Sequence, residues 1–588
     1  MVKNMKRSYK IFFLLGIFLL GNGCWNNEEA LFRDSHLPTK QRVEDLLSRM
    51  TIEEKIGQLA LVEKNSMKMK DVATYGIGGI LSGGGGKPNP NTPEAWLAMV
   101  EDFKTSGKNS RLGIPIFYGI DAVHGHSNVP GATIFPHNIG LGATRDPELL
   151  QKIGMITAQE MAATGINWNF APTVDVAKDI RWGRTYETFG SDTTLVSDLS
   201  AAYIKGLQSP SSDHSPVIGT AKHYLGTGIM TWGSSSDENF HMDQGVVEVD
   251  EATLRKDHLP PFAAAVQARI PSIMVGHQSW KGIKMVANKY LLTDVLKNEL
   301  HFTGFIVSDW HGVYEIPGGD YQALVTALEA GIDMFMLPYD YSSFVSLMKQ
   351  AWKKGDIEEE RLNDAVRRIL RVKFSFGLFD EQEQKENRLQ EIGSQEHRLV
   401  AREAVRKSLV LLKNENQTLP LPKNVPSLVI AGSAAHNLGR QSGGWTIEWQ
   451  GVEGNNLPGT TILDAIKKSV TNSTQITYDA MGNFSLPEQS ADIGIVVVGE
   501  KPYAEGWGDH EDPSLSNEDL ETIERVKKVS KKIVIIIISG RPLDIVSAAK
   551  GWDAIIAAWL PGTEGEGVTD VLFGDFPFTG TLPIEWSL

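Results

Sequence analysis

Side chains that can do acid–base chemistry recur in this chain directly after short apolar runs. Asp121 follows the run 115–120, Asn169 and Asp175 surround 166–170, Lys222 and His223 follow 217–221, His277 follows 272–275 and Asp309 follows 304–307. The stretch GFIVSDW sets Asp309 beside Trp310, so a carboxylate stands next to an indole face on which a sugar ring could lie, a pairing that suits glycoside chemistry. Taken alone, such an Asp could equally cap the next helix. The sequence has no HExxH helix, no GxSxG elbow and no paired Cys/His ligand set, which leaves carboxylates as the reactive groups. His124 and His126 lack a third ligand nearby and read as loop-stabilising. The run Gly83 to Gly86 before Lys87 lacks the spacing of a phosphate loop, with Leu81 and Pro88 at the decisive positions.

These residues need elements that bring them together from nearly two hundred positions of chain. The apolar runs at 78–82, 115–120, 166–170, 217–221, 272–275, 304–307 and 333–337 alternate with longer helical-period stretches, the pattern of repeated βα units closing into a barrel. In a βα barrel the strand C-termini open on one face, where such polar residues converge. Past Phe379 the chain turns polar, as a linker does, and runs at 428–431, 493–498, 533–538 and 554–558 then predict a second, smaller α/β sheet domain.

At 588 residues the chain is too long for one core, and its composition is that of an ordinary globular protein. The net charge of -15 argues against nucleic acid as a partner. The N-terminus has basic residues, an apolar run over 11–20 and small residues leading to Cys24, as in a secretory signal. That run is about half the ~20 residues a membrane-spanning helix needs. Cys24, the one cysteine, resembles the lipidation site of a bacterial lipoprotein, and a plain cleaved leader is the alternative. The expectation is export to the periplasm or a lipid anchor at the outer membrane.

The stretches GIDAVHGHSNVPGATIFPHNIGLGATRDP, RWGRTYETFGSD, TAKHY, NKYLLTDVLK with GFIVSDW, and GGWTIEWQG together resemble glycoside hydrolase family 3, in its exo-β-glucan glucohydrolase and β-glucosidase branch. The resemblance implies an α/β fold: a (β/α)8-like barrel over 38–380, a linker over 381–404 and an α/β sandwich over 405–588 that supplies the acid/base. It also implies that Asp309 is the nucleophile and Glu505, in GEKPYAEGWGD, the acid/base. Asp121, Arg184, Lys222 and His223 would bind the terminal glucose, and Trp310 and Trp449 would clamp the next sugar. Two departures stand out: Thr227 lies between Gly226 and Gly228 where this branch usually has Gly-Asp-Gly, and His277 takes a place often held by an aromatic.

The expected function is therefore a retaining exo-acting β-glucosidase acting on β-glucans or cello-oligosaccharides, with no cofactor and no metal required. Retention needs a carboxylate nucleophile and a protonated carboxylic acid roughly 5 Å apart. Asp309 is expected to stay ionised beside Arg184 and Lys222, and Glu505 to start protonated. Two alternatives remain: a β-xylosidase of the same family, since loss of a hydroxymethyl group alters only a few contacts, and a surface sugar-binding protein without turnover.

Overall fold

The computed structural model describes residues 30–209, 216–380, 388–485 and 490–588. The leader and Cys24 lie outside the described residues. Eight strands make the two main sheets of the N-terminal part: β1 (Ala60–Glu63), β2 (Gly79–Ser82), β3 (Phe117–Ile120), β4 (Trp168–Asn169), β5 (Thr220–Tyr224), β6 (Ser272–Val275), β7 (Phe305–Ser308) and β8 (Phe335–Leu337). They pair in parallel in the orders β8-β1-β2-β3-β4 and β7-β6-β5. Single parallel bridges, Trp168 to Ile218 and Val307 to Met334, bring the ends of the two sheets together. Every residue of these strands is buried, because helices cover one face and packed side chains fill the other.

Aromatic rings form the centre of that filling. Phe305 stacks on Phe117 with centroids 5.5 Å apart, Trp168 meets both at 5.3 Å, and Phe170 lies edge-on to Trp168 at 4.9 Å. Gly119 on β3 is what admits Phe170, since a Cβ there would lie 2.3 Å from the ring. The covering helices start at sequence-encoded caps: Thr92, Asp146, Asp192 and Asp340 each accept from a backbone N–H in the first turn of Pro93–Lys108, Pro147–Ala163, Thr193–Leu207 and Tyr341–Lys354.

The C-terminal part is one sheet of β9 (Val410–Asn414), β10 (Ser427–Ala431), β11 (Gln475–Tyr478), β12 (Ala491–Gly499), β13 (Ser530–Ile538) and β14 (Ala554–Trp559), in the order β9-β14-β13-β12-β10-β11. All neighbours are parallel except β9 on β14. The central strands β12 and β13 carry continuous buried apolar runs at 493–498 and 533–538, whereas β11 at the edge alternates exposed and half-buried residues.

Three differences from the sequence expectation bear on the site. β1 is absent from the expected strands: only Leu59 separates it from the helix Ile52–Gln58, so its short apolar run reads as a continuation of that helix. The strand expected at 217–221 lies at Thr220–Tyr224, which puts Lys222 and His223 inside β5 rather than after it. The segment 381–404 is partly helical, for Ser394 caps a helix Gln395–Ser408 that packs on Asn138–Thr144 and Pro147–Ala163. Buried Glu160 fastens its start by accepting from Gly393 N at 2.9 Å and His397 Nδ1 at 2.8 Å.

Candidate active site

A cavity of about 450 Å³ opens where the strand ends of the N-terminal part meet loops of the C-terminal sheet, a volume typical of small-ligand sites. The eight residues to which the family resemblance gives site roles all line it: Asp121, Arg184, Lys222, His223, Asp309, Trp310, Trp449 and Glu505. Asp121 directly follows β3, Asp309 follows β7, and Arg184 sits on the tight turn Gly183–Glu187. Neighbouring residues on a strand normally face opposite sides, yet Lys222 and His223 both reach the cavity, where the pairing of β5 with β6 slips between Ala221 and Tyr224. Asn169 does not line it; its side chain ties the loop after β3 by accepting from Ala122 N and donating to Ala122 O, each at 3.0 Å.

Charged groups form a chain across the floor. Lys222 Nζ donates to Asp121 Oδ1 at 2.8 Å. Arg184 forks onto Glu187 at 2.9 and 3.0 Å, donates to His223 Nε2 at 3.0 Å and reaches Glu505 Oε1 at 3.3 Å. His223 Nδ1 in turn donates to Asp175 at 2.9 Å, and the hydroxyl of Thr227 donates to the other oxygen of Asp175. Thr227 is thus accounted for: it completes the carboxylate that orients His223.

The two candidate reactive carboxylates sit in opposite electrostatic settings. For Asp309, burial opposes ionisation, but His277, with His223 and Arg184 adding to it, outweighs burial and holds the carboxyl well below the usual carboxylate range. The groups nearest Asp309 are His277 and His223, each with Nε2 at 3.8 Å; Arg184 also favours its ionisation, as the sequence suggested, whereas Lys222 is engaged by Asp121. His277 lies between two acids, with Nδ1 donating to Glu315 at 2.6 Å; burial works against its proton, but Asp309 and Glu315 prevail and raise it to about 10. Glu505 is pushed up to about 8 by burial, with Asp243 and Asp309 adding to the rise and Arg184 opposing it. Its side chain remains 24% exposed, so it can exchange its proton through the cleft. One carboxylate ready to attack and one acid ready to donate, lining the same cavity, can cleave a glycosidic bond.

Around the mouth, Trp310 and Trp449 are half-buried and Tyr339, after β8, is 63% exposed, lying edge-on to Trp310. The glycine run rejected as a phosphate loop gives these indoles room: a Cβ on Gly83 would meet the Trp310 ring at 2.8 Å, and one on Gly84 would meet Trp449 at 2.6 Å. His124 and His126 are fully buried and pushed down to about 4 by burial. His124 donates from Nδ1 to Phe135 O and accepts at Nε2 from the hydroxyl of Thr446, so it pins the loop carrying Trp445 and Trp449. Sequence reasoning did not assign Glu187, Asp243, Tyr339 or Trp445, whose ring lies 5.6 Å from Lys222 Nζ. Glu187 and Trp445 stood inside the quoted stretches RWGRTYETFGSD and GGWTIEWQG, whereas nothing local marked Asp243 or Tyr339.

The fold and this cavity are those of a glycoside hydrolase. Residues 51–372 match the model of the glycosyl hydrolase family 3 N terminal domain and 409–588 that of the family 3 C-terminal domain, and the chain belongs to this family. It is similar to a solved exo-1,3/1,4-β-glucanase (a Q683A mutant) from a Pseudoalteromonas species, with 38% identity and a TM-score of 0.87 over 93% of this chain and 91% of that one. It is 33% identical to a lysosomal β-glucosidase of Dictyostelium discoideum, over 92% of this chain and 72% of the relative. It is also 33% identical to a β-xylosidase of Formosa agariphila, over 83% and 71%.

Proposed function

We propose that the protein is a retaining, exo-acting β-glucosidase that removes terminal non-reducing β-D-glucosyl residues from β-glucans or cello-oligosaccharides. The observation that carries the reading is the split between the two acids of one cavity, Asp309 held ionised and Glu505 held protonated. Asp309 attacks the anomeric carbon while Glu505 gives its proton to the departing glycosidic oxygen, leaving a glucosyl ester on Asp309. Glu505, now a carboxylate, takes a proton from water as that water attacks the same carbon and Asp309 leaves. Two inversions give net retention.

Asp121, Arg184, Lys222 and His223 bind hydroxyls of the terminal glucose, supported by their place on the charged floor. Lys222 and His223 side chains are each 3% exposed, and Trp310 and Trp449 stand higher and more open, as a clamp on the next sugar requires. That gradient from a buried floor to an aromatic rim favours one terminal sugar at the bottom, hence exo action. The same reading takes 38–380 as a closed (β/α)8-like barrel, supported by the bridges between its two sheets, 381–404 as the linker and 405–588 as the α/β sandwich. It also takes the chain as exported, with Cys24 lipidated; among the described residues no helix is long and apolar enough to cross a membrane.

The test is the time course of sugar release from aryl β-glucoside, aryl β-xyloside and aryl N-acetyl-β-glucosaminide, with the anomer followed by NMR. Glucoside cleavage with β-glucose as first product is expected. First-formed α-glucose would remove the double displacement, preference for the xyloside would move the substrate to the runner-up, and binding without turnover would favour a sugar-binding protein.

A further inference from the structure

The group read as the acid/base is delivered by a strained loop from the other half of the chain. Glu505 opens the turn Glu505–Gly508 that follows β12, and its φ of 56° lies in the left-handed region, which costs a non-glycine residue free energy unless the surroundings enforce it. Three glycines let the turn press against the N-terminal part. A Cβ on Gly183 would lie 2.2 Å from Glu505 O, one on Gly506 would lie 2.2 Å from the Phe240 ring, and one on Gly508 would strike both Tyr503 and the Gly183 backbone. Close approach explains how the turn fits, but not what holds it.

Asp509, immediately after the turn, supplies a holding device. Its Oδ1 accepts from Gly183 N at 2.9 Å, and its Oδ2 accepts from three successive amides, His241 N at 3.2 Å, Met242 N at 2.6 Å and Asp243 N at 2.8 Å. Successive backbone N–H groups converging on one point form an anion cradle, and here the anion comes from the opposite half of the molecule. Hydrogen bonds to an ionised acceptor are about twice as strong as neutral ones. The two segments gripped carry the groups that set the state of Glu505: Gly183 precedes Arg184, which reaches Glu505 at 3.3 Å, and Asp243 is one of the acids that raise it.

We propose that Asp509 is a positioning residue that clamps the Glu505 turn onto the N-terminal part, fixing where the proton donor stands relative to Asp309. The proposal rests on the reading of Glu505 as acid/base. Asp509 touches neither substrate nor reacting atoms; it acts by register. Its loss should therefore injure proton donation while leaving nucleophilic attack and the sugar floor in place. Arg541 backs the clamp by donating to Gly508 O at 2.6 Å and Arg181 O at 3.1 Å, so the turn retains a support when Asp509 is altered.

The experiment is a leaving-group series on the full-length protein, comparing Asp509→Asn, Asp509→Ala and Asp509→Glu with Glu505→Ala. The expected result for Asp509→Asn is a fall of about a hundredfold or more in kcat/KM on phenyl β-glucoside against about threefold on dinitrophenyl β-glucoside, since the latter departs without protonation. The basic limb of its pH profile should move as the Glu505 environment loosens. Asp509→Glu, which keeps the charge, should recover part of the phenyl glucoside rate. Loss by the same factor on both substrates, or no loss, overturns the proposal, and circular dichroism on the Asn variant separates either from misfolding. If Glu505→Ala itself shows no dependence on the leaving group, the reading of Glu505 falls and takes the proposal with it. If Glu505→Ala shows that dependence and Asp509→Asn does not, only the clamp is refuted.

Discussion

Replacing His277 by Phe tests whether one imidazolium is what keeps the candidate nucleophile charged. His277 Nε2 is 3.8 Å from Asp309 Oδ1, and the two side chains are 12% and 16% exposed, so solvent screens the pair weakly. With an effective dielectric constant of about 20, a unit charge at that distance of 3.8 Å favours ionisation by about 4 kcal/mol, close to three powers of ten in the acid constant. Phe keeps a ring in the pocket and removes the charge; Glu315, left to Lys284 alone, then adds a small opposing effect. Asp309 ionises below the usual carboxylate range in the wild type, so its form competent for attack persists as pH falls through that range. In His277→Phe the carboxyl should take up a proton within the ordinary range, and activity should be lost there. The assay is initial kcat/KM on dinitrophenyl β-glucoside after a jump from neutral to acidic pH, which separates titration from acid unfolding. An acidic limb at the same pH in both proteins would refute the reasoning, because some group other than His277 must then hold Asp309 ionised.

Four other outcomes are expected. Asp309→Ala should abolish turnover on every aryl glucoside with an unchanged circular dichroism spectrum; rates near wild type would remove the nucleophile assignment. For the wild type, kcat/KM should fall about tenfold per pH unit as pH rises through about 8, because Glu505 is raised to about 8 and loses the proton it must donate. In Glu505→Ala that limb should vanish and azide should restore turnover of activated substrates, whereas a persisting limb would place the acid elsewhere. Phe305→Ala should cost about 3–5 kcal/mol by opening a cavity among Phe117 and Trp168; a urea midpoint like that of the wild type would contradict the ring cluster at the centre of the N-terminal part.

Legibility in the sequence followed how local each signal was. The strands 272–275 and 533–538 are readable because buried parallel strands are uninterrupted apolar runs, and in the N-terminal part polar residues such as His277 after 272–275 point to the side where chemistry collects. β1 and β11 are not, one following a helix after a single residue and the other an edge strand with only two half-buried residues. Side chains fixed by strand ends, such as Asp121 and Asp309, could be placed before any coordinates. Partnerships across the chain could not: that Arg184 pairs with Glu505 and Glu187 while His277 and His223 stand nearest Asp309 depends on how the loops lie over the cleft. The glycines at Gly83 and Gly84 carried a real signal of close approach, but what approaches them are indoles from 310 and 449 rather than a phosphate.

The seam between the halves has a consequence for recombining relatives of this chain. A hybrid cut near residue 400 would inherit Asp309 from one parent and Glu505 from the other, and both pieces could fold well around intact sheets. Its activity would nonetheless depend on whether the amides at 183 and 241–243 of the first parent meet the carboxylate at 509 of the second. The unit of inheritance for turnover is therefore discontinuous: two short stretches of the first half must travel with the second, and crossover points chosen by fold boundaries alone would yield soluble, sugar-binding and slow hybrids.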